Sequence, residues 1–132
     1  MPIDLLQFHG DESPAFCRQF ARPYLKAVRV QPGLDLLQYA IAHAGARGLL
    51  TDAFVPGVPG GTGATFDWSL LPADLPLPLI LSGGLEPDNI TAAVRAVRPA
   101  AVDTSSGVEA SKGIKDAARM AAFIAGVHHA SV

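Results

Sequence analysis

Five short, almost unbroken apolar runs recur along this chain, and they constrain its fold more than any other feature. They are residues 3–8 (IDLLQF), 24–30 (YLKAVRV), 48–52 (GLLTD), 77–81 (LPLIL) and 100–104 (AAVDT). Strands covered on both faces read as continuous apolar runs, whereas a half-exposed strand alternates. Between them lie segments with helical signals. Residues 11–21 carry Ser13 as N-cap and Pro14 at the first helical position. Residues 34–44 repeat apolar side chains at Leu34, Leu37, Ala40 and Ile41 and stop before Gly45. A short helical turn is expected at 67–71, a helix over 86–98 that Pro99 ends, and a last helix over 114–127. The order β-α-β-α-β-loop-β-α-β-α predicts a parallel sheet with right-handed crossovers. Five units are too few to close an eight-stranded barrel of about 200 or more residues. An open doubly wound sheet and a portion of a barrel both fit. Because the chain starts directly on a strand, an upstream segment is expected.

Composition narrows the class. The 132 residues suit one domain, and 49% hydrophobic against 17% charged residues allow a substantial core. A net charge of −2 argues against a nucleic-acid footprint, which needs clustered Lys and Arg. The single cysteine, Cys17, rules out an intrachain disulfide and fits a reducing compartment. The opening MPIDLLQFHGDE lacks a basic stretch followed by an apolar one, so no signal peptide is expected. No apolar run approaches the roughly 18 residues of a membrane span. The expectation is a cytoplasmic protein that uses neither membrane nor nucleic acid.

Parallel α/β architectures bind ligands at the carboxyl ends of their strands. Those ends here are His9-Gly10-Asp11, Arg29, Asp52, Ser82-Gly83-Gly84 and Asp103-Thr104-Ser105-Ser106-Gly107. Such polar, glycine-rich tips on apolar strands are the main site signal. Glycine lets an anion approach the backbone, and a following helix favours negative charge. Either glycine turn alone is explained by tight geometry, but the pair after consecutive strands favours a phosphate cradle. Asp52 serves as general acid or base if burial raises its pKa, and equally as a loop anchor. Asp103 reads first as a turn stabiliser, and His9 as a structural histidine. Cys17, inside a helix, reads as packing and not as a nucleophile. The stretch VPGVPGGTGATFDW at 55–68 is no Walker A loop, because Ala64 stands at the lysine position. Long glycine-rich loops in compact domains more often serve as lids.

Taken together, LLQFHGDE, KAVRV, LLTD, PGGTGATFDW, LSGGLEPDNI and VDTSSGVEASKGIKD resemble the phosphoribosylanthranilate isomerase family, in the family's order and over nearly the whole chain. The resemblance implies a TIM-type (β/α)8 barrel, with this chain, residues 1–132, a single partial-barrel domain corresponding to strands 4–8. It implies an isomerase of tryptophan biosynthesis that carries out an Amadori rearrangement of N-(5′-phosphoribosyl)anthranilate, with neither cofactor nor metal. Asp52 is then the general acid that protonates the ribose ring oxygen. Gly83, Gly84, Ser105, Ser106 and Gly107 hold the substrate phosphate, with Asp103 supporting that turn. Gln7, His9 and Gly61 line the pocket, and the 55–68 loop becomes a lid over the substrate. The family's general base is a cysteine in an upstream Lys-Ile-Cys-Gly motif, and an upstream arginine serves the anthranilate side. Neither motif occurs in this sequence, and Cys17 stands in the wrong place to inherit the role. The chain alone is therefore expected to lack its base. It would need an N-terminal fragment, or persist as a non-catalytic phosphosugar-binding or self-associating half-barrel, since open strand edges invite pairing.

Overall fold

The computed structural model describes residues 2–53 and 68–131. Five parallel strands form one sheet: β1 (Leu6–Phe8), β2 (Tyr24–Val30), β3 (Gly48–Ala53), β4 (Leu79–Leu81) and β5 (Ala101–Val102). Their spatial order is their sequence order, β1-β2-β3-β4-β5. A doubly wound sheet reverses direction at a switch point, and this one does not. Right-handed crossovers that all step the same way put every helix on one face of the sheet. That is barrel-type winding, and it removes the doubly wound alternative.

The intervening helices are α1 (Pro14–Arg18), α2 (Leu36–Ala42), α3 (Ile90–Val97) and α4 (Ala117–Ala130). Each is shorter than, or offset from, the expected span, and local capping accounts for it. Ser13 accepts the Phe16 amide and opens α1 as anticipated, but α1 is only 5 residues long. Asp35 accepts the Gln38 amide, so α2 starts at Leu36. Asn89 closes a turn by accepting the Glu86 amide at 2.9 Å, which delays α3 to Ile90. Arg98 then ends α3 in a left-handed conformation (φ 52°) just before Pro99.

The last expected helix requires a correction. Residues 114–115 do not start it. They are β7 (Ile114–Lys115), which pairs antiparallel with β6 (Glu109–Ser111) in a small hairpin. Gly113, at φ 82°, turns the hairpin, and Asp116 caps α4 by accepting the amides of Ala118 and Arg119. The expected turn at 67–71 is a 3₁₀ turn, Trp68–Leu70. The glycine-rich stretch assigned as a lid, including Gly61, lies outside the described residues except for Trp68.

The core lies between sheet and helices. Alternate residues of a strand face opposite sides, and Tyr24 and Val28 of β2 turn toward the helices. Tyr24 packs with Cys17 and Ala46, and Val28 with Leu36, Ala40 and Leu49. Leu81 joins Leu85, Ile90, Ala93, Val108 and Phe123 between α3 and α4. Among the described residues, no helix is long and apolar enough to cross a membrane.

Candidate functional site at the carboxyl edge

Strand register gathers the polar strand ends. Arg29 is the β-partner of Asp52. Thr51 is the partner of Leu81, and the Ser82 amide donates to the Thr51 carbonyl at 2.9 Å. Leu81 is in turn the partner of Val102, and the Asp103 amide donates to the Leu81 carbonyl at 2.9 Å. Asp52, Ser82 and Asp103 therefore stand side by side in one row, on the face away from the helices. Asp52, at the end of the central strand, is 6% exposed. His9 leans across from β1 and brings Nε2 to 3.7 Å from Asp52 Oδ2. The Gln7 side-chain nitrogen lies 3.4 Å from His9 Nδ1. Gln7, His9 and Asp52 thus share one end of the site.

The loop that presents His9 is tied down by Lys26, whose side chain is completely buried. Lys26 Nζ donates to the carbonyls of Gly10 (2.7 Å) and Ala27 (3.0 Å), and lies 3.3 Å from Glu12 Oε1. Glu12 accepts the Gly10 amide at 2.9 Å, so Gly10 is gripped at both ends. Burial pushes the Glu12 carboxyl up, but the amides of Gly10 and Glu12 and the Lys26 ammonium together hold it below its ordinary value. Sequence reasoning missed this pair. The signal was a lysine in the run YLKAVRV at the same parity as Tyr24, Val28 and Val30, the side chains that turn toward the helices.

The two glycine turns meet at the other end. Gly83 and Gly84 have φ of 94° and 67°, a backbone that side chains strain. A Cβ on Gly107 would run into the Leu85 carbonyl, so the second turn lies directly against the first. Thr104 Oγ1 donates to that same carbonyl at 2.7 Å. Ser82 Oγ lies 3.4 Å from Asp103 Oδ2, a long contact that links the strand ends. Ser105 and Ser106 face solvent. Behind the second turn, Lys115 Nζ donates to the Ser105 carbonyl at 2.8 Å, and Arg119 donates twice to the Gly107 carbonyl (3.2 and 2.9 Å).

Cys17 lies elsewhere. It is buried in α1 on the helical side, packed with Tyr24 and Ala46, and burial pushes its thiol pKa up. A buried thiol kept protonated is a poor base. Among the described residues, no three His, Cys, Asp or Glu side chains gather where they could hold a metal.

A parallel sheet wound in one direction, with its polar residues and glycine turns along the carboxyl edge, is the architecture of the (β/α)-barrel enzymes. A sequence profile described as N-(5'phosphoribosyl)anthranilate (PRA) isomerase matches residues 1–126. The chain belongs to that isomerase family. It is 65% identical over 125 residues to the N-(5'-phosphoribosyl)anthranilate isomerase of Nitrosospira multiformis, covering 95% of this chain and 60% of that protein. The Dechloromonas aromatica relative of the same name is 63% identical, with 98% of this chain and 62% of its own length covered. The crystal structure of the Thermotoga maritima phosphoribosyl anthranilate isomerase superposes with a TM-score of 0.80 at 40% identity, covering 96% of this chain and 62% of that one. A further structure of the enzyme, in complex with reduced 1-(o-carboxyphenylamino)-1-deoxyribulose 5-phosphate, superposes at 0.75 with 36% identity, covering 96% of this chain and 60% of that one. The chain thus spans about 60% of the length of these relatives.

Proposed function

We propose that this chain carries the acid and phosphate-binding part of a phosphoribosylanthranilate isomerase of tryptophan biosynthesis, corresponding to barrel strands 4–8. The observation that carries the reading is the row at the carboxyl edge: a buried Asp52 beside two mutually packed glycine turns. Asp52 donates a proton to the ribose ring oxygen of N-(5′-phosphoribosyl)anthranilate as the C1′–O bond breaks, giving the ring-opened Schiff base. A base then removes the C2′ proton, and the resulting enol becomes the ketone of 1-(2-carboxyphenylamino)-1-deoxyribulose 5-phosphate. The amides of Gly83, Gly84, Ser106 and Gly107, with the Ser105 hydroxyl, hold the phosphate, and Asp103 braces their turn. Gln7 and His9 line the pocket beside Asp52.

The base is the missing partner. Cys17 is buried on the wrong face, and the motif that carries the family's base is not among these residues. The open face of the sheet is then completed by a segment carrying that motif, or by a second copy of the chain, in the cytoplasm where the pathway's small phosphosugars reside.

The test is a turnover assay with N-(5′-phosphoribosyl)anthranilate. Residues 1–132 alone are expected to be inactive. Added to the part of the Nitrosospira multiformis enzyme that this chain does not match, they are expected to regain turnover. Asp52→Asn should lower that regained rate by about 10² to 10⁴, the usual contribution of a positioned acid. Turnover by the isolated chain, abolished by Asp52→Asn, would sink the view that the base comes from elsewhere.

A further inference from the structure

The hairpin after the second glycine turn has no part in the reading above, yet its side chains reach back into that turn. Lys115 Nζ donates to the Ser105 carbonyl at 2.8 Å, lies 3.4 Å from Ser105 Oγ, and pairs with Glu109 Oε2 at 2.9 Å. Glu109 also accepts the Gly113 amide at 3.2 Å, so the carboxylate is anchored across the hairpin. Backbone amides take two more carbonyls of the turn: Glu109 N–H donates to Ser106, and Asp116 N–H to Val108 at 2.8 Å. Arg119 holds the Gly107 carbonyl. Every carbonyl from Ser105 to Val108 is thereby turned toward the hairpin and α4.

A trans peptide unit is planar, with its C=O and the following N–H pointing in opposite directions. Fixing the Ser105 carbonyl on Lys115 therefore fixes the Ser106 N–H on the other side, toward the row that holds Asp52 and the first glycine turn. We propose that Lys115, held by Glu109, is a positioning residue for anion binding: it orients the Ser105–Ser106 peptide and places a positive charge behind it. The hydrogen bond from Lys115 holds the Glu109 carboxyl below its ordinary value, which favours the carboxylate that anchors the lysine. This inference rests on the phosphate reading of the turn and assigns it a device that the resemblance did not include.

Inorganic phosphate is the probe, titrated into the 132-residue chain and followed by the amide resonances of Ser106 and Gly107 and by calorimetry. Lys115→Met should weaken phosphate binding about tenfold, the loss expected for one charge-assisted hydrogen bond. Lys115→Arg should stay within about threefold of the parent, because it restores the charge and the donors. Lys115→Gln, which keeps a donor without the charge, should fall between them and serves as the measurement if the Met variant does not fold. A merely structural role would lower the melting temperature of the Met and Gln variants and leave the phosphate affinity alone. Parent-like affinity in Lys115→Met and Lys115→Gln would overturn the inference while leaving the phosphate site intact. Failure of the parent chain to bind phosphate at these amides would overturn the phosphate reading and this inference with it.

Discussion

The two faces of the sheet are built from the same strands and do different work. The face under the helices holds Tyr24, Val28, Leu49 and Leu81, all buried, and the one charge it admits there among the described residues, Lys26, has its donors taken up. The opposite face is apolar only in its lower rows, at Leu25, Ala27, Leu50 and Ile80. At the carboxyl end it turns polar, through Arg29, Asp52, Ser82 and Asp103. A two-residue period separates the faces, so one strand contributes to stability and to chemistry through alternate side chains. The lesson is one of tolerance. A substitution on the helical face should register in folding free energy, and one at the carboxyl edge in ligand binding.

The largest effect on folding is expected from Lys26→Met. It leaves Glu12 without its cation and strips the Gly10 and Ala27 carbonyls of the donor supplied by a fully buried side chain. Breaking one partner out of such a buried pair costs about 3 kcal/mol, the lower end of the usual range because Glu12 is partly exposed. Urea unfolding measures this directly. Phosphate affinity should change little, since Lys26 touches the β1 end of the site and not the glycine turns. An affinity loss as large as the stability loss would break the division between faces.

Gly107→Ala tests the other face. Its Cβ would meet the Leu85 carbonyl, a backbone atom that cannot step aside without moving both turns. Overpacking of this kind costs about 1–3 kcal/mol. Here the greater consequence is expected in binding, as loss of measurable phosphate affinity in the calorimeter. If the variant binds as the parent does, the contact between the turns is not what shapes the cradle.

Strands and the glycine tips were legible in the sequence because each rests on local patterning; the winding was not, since the same five runs fit an open doubly wound sheet as well as part of a barrel. Residues 24–30 appear as a strand with the expected bounds, since an apolar run flanked by Pro23 and the Gln31-Pro32-Gly33 turn leaves little freedom. Helix starts were less legible. Asp35, Asn89 and Asp116 outcompete the apolar spacing by offering their side chains to backbone amides. The hairpin at 109–115 was hidden for a related reason: Lys112-Gly113 is a turn signal, but an apolar residue at 114 suggested the start of the following helix. The positions of Asp52 and the two turns could be named from strand ends alone. Their mutual packing through Leu85 and Thr104, and the Lys26–Glu12 tie, join residues distant in the chain. No local pattern encodes such contacts.

The smallest effect separates the faces by pH. His43 caps α2 on the helical side, 3% exposed, with its ring against Tyr39 (5.0 Å) and Tyr24 (6.4 Å), and its Nδ1 has no hydrogen-bond partner among the described residues. Burial, and then the charges of Lys26 and Arg18, depress its pKa below the ordinary 6.5, with Glu12 opposing them. The folded chain therefore keeps the imidazole neutral at a pH where the unfolded chain protonates it. Between the two pKa values the unfolded state binds more protons, so stability rises with pH in that window. Read downward, stability should begin to fall near pH 6.5 and continue to fall until the folded-state pKa is passed. His43→Phe, which keeps the aromatic packing without the titration, should flatten that slope. The other histidines, His9, His128 and His129, remain in both proteins and cancel in the difference. Urea midpoints taken from pH 7.5 down to pH 5 decide it: equal slopes in parent and variant would mean that the ring is hydrated in the folded state, and that the helical face is less sealed than its packing implies.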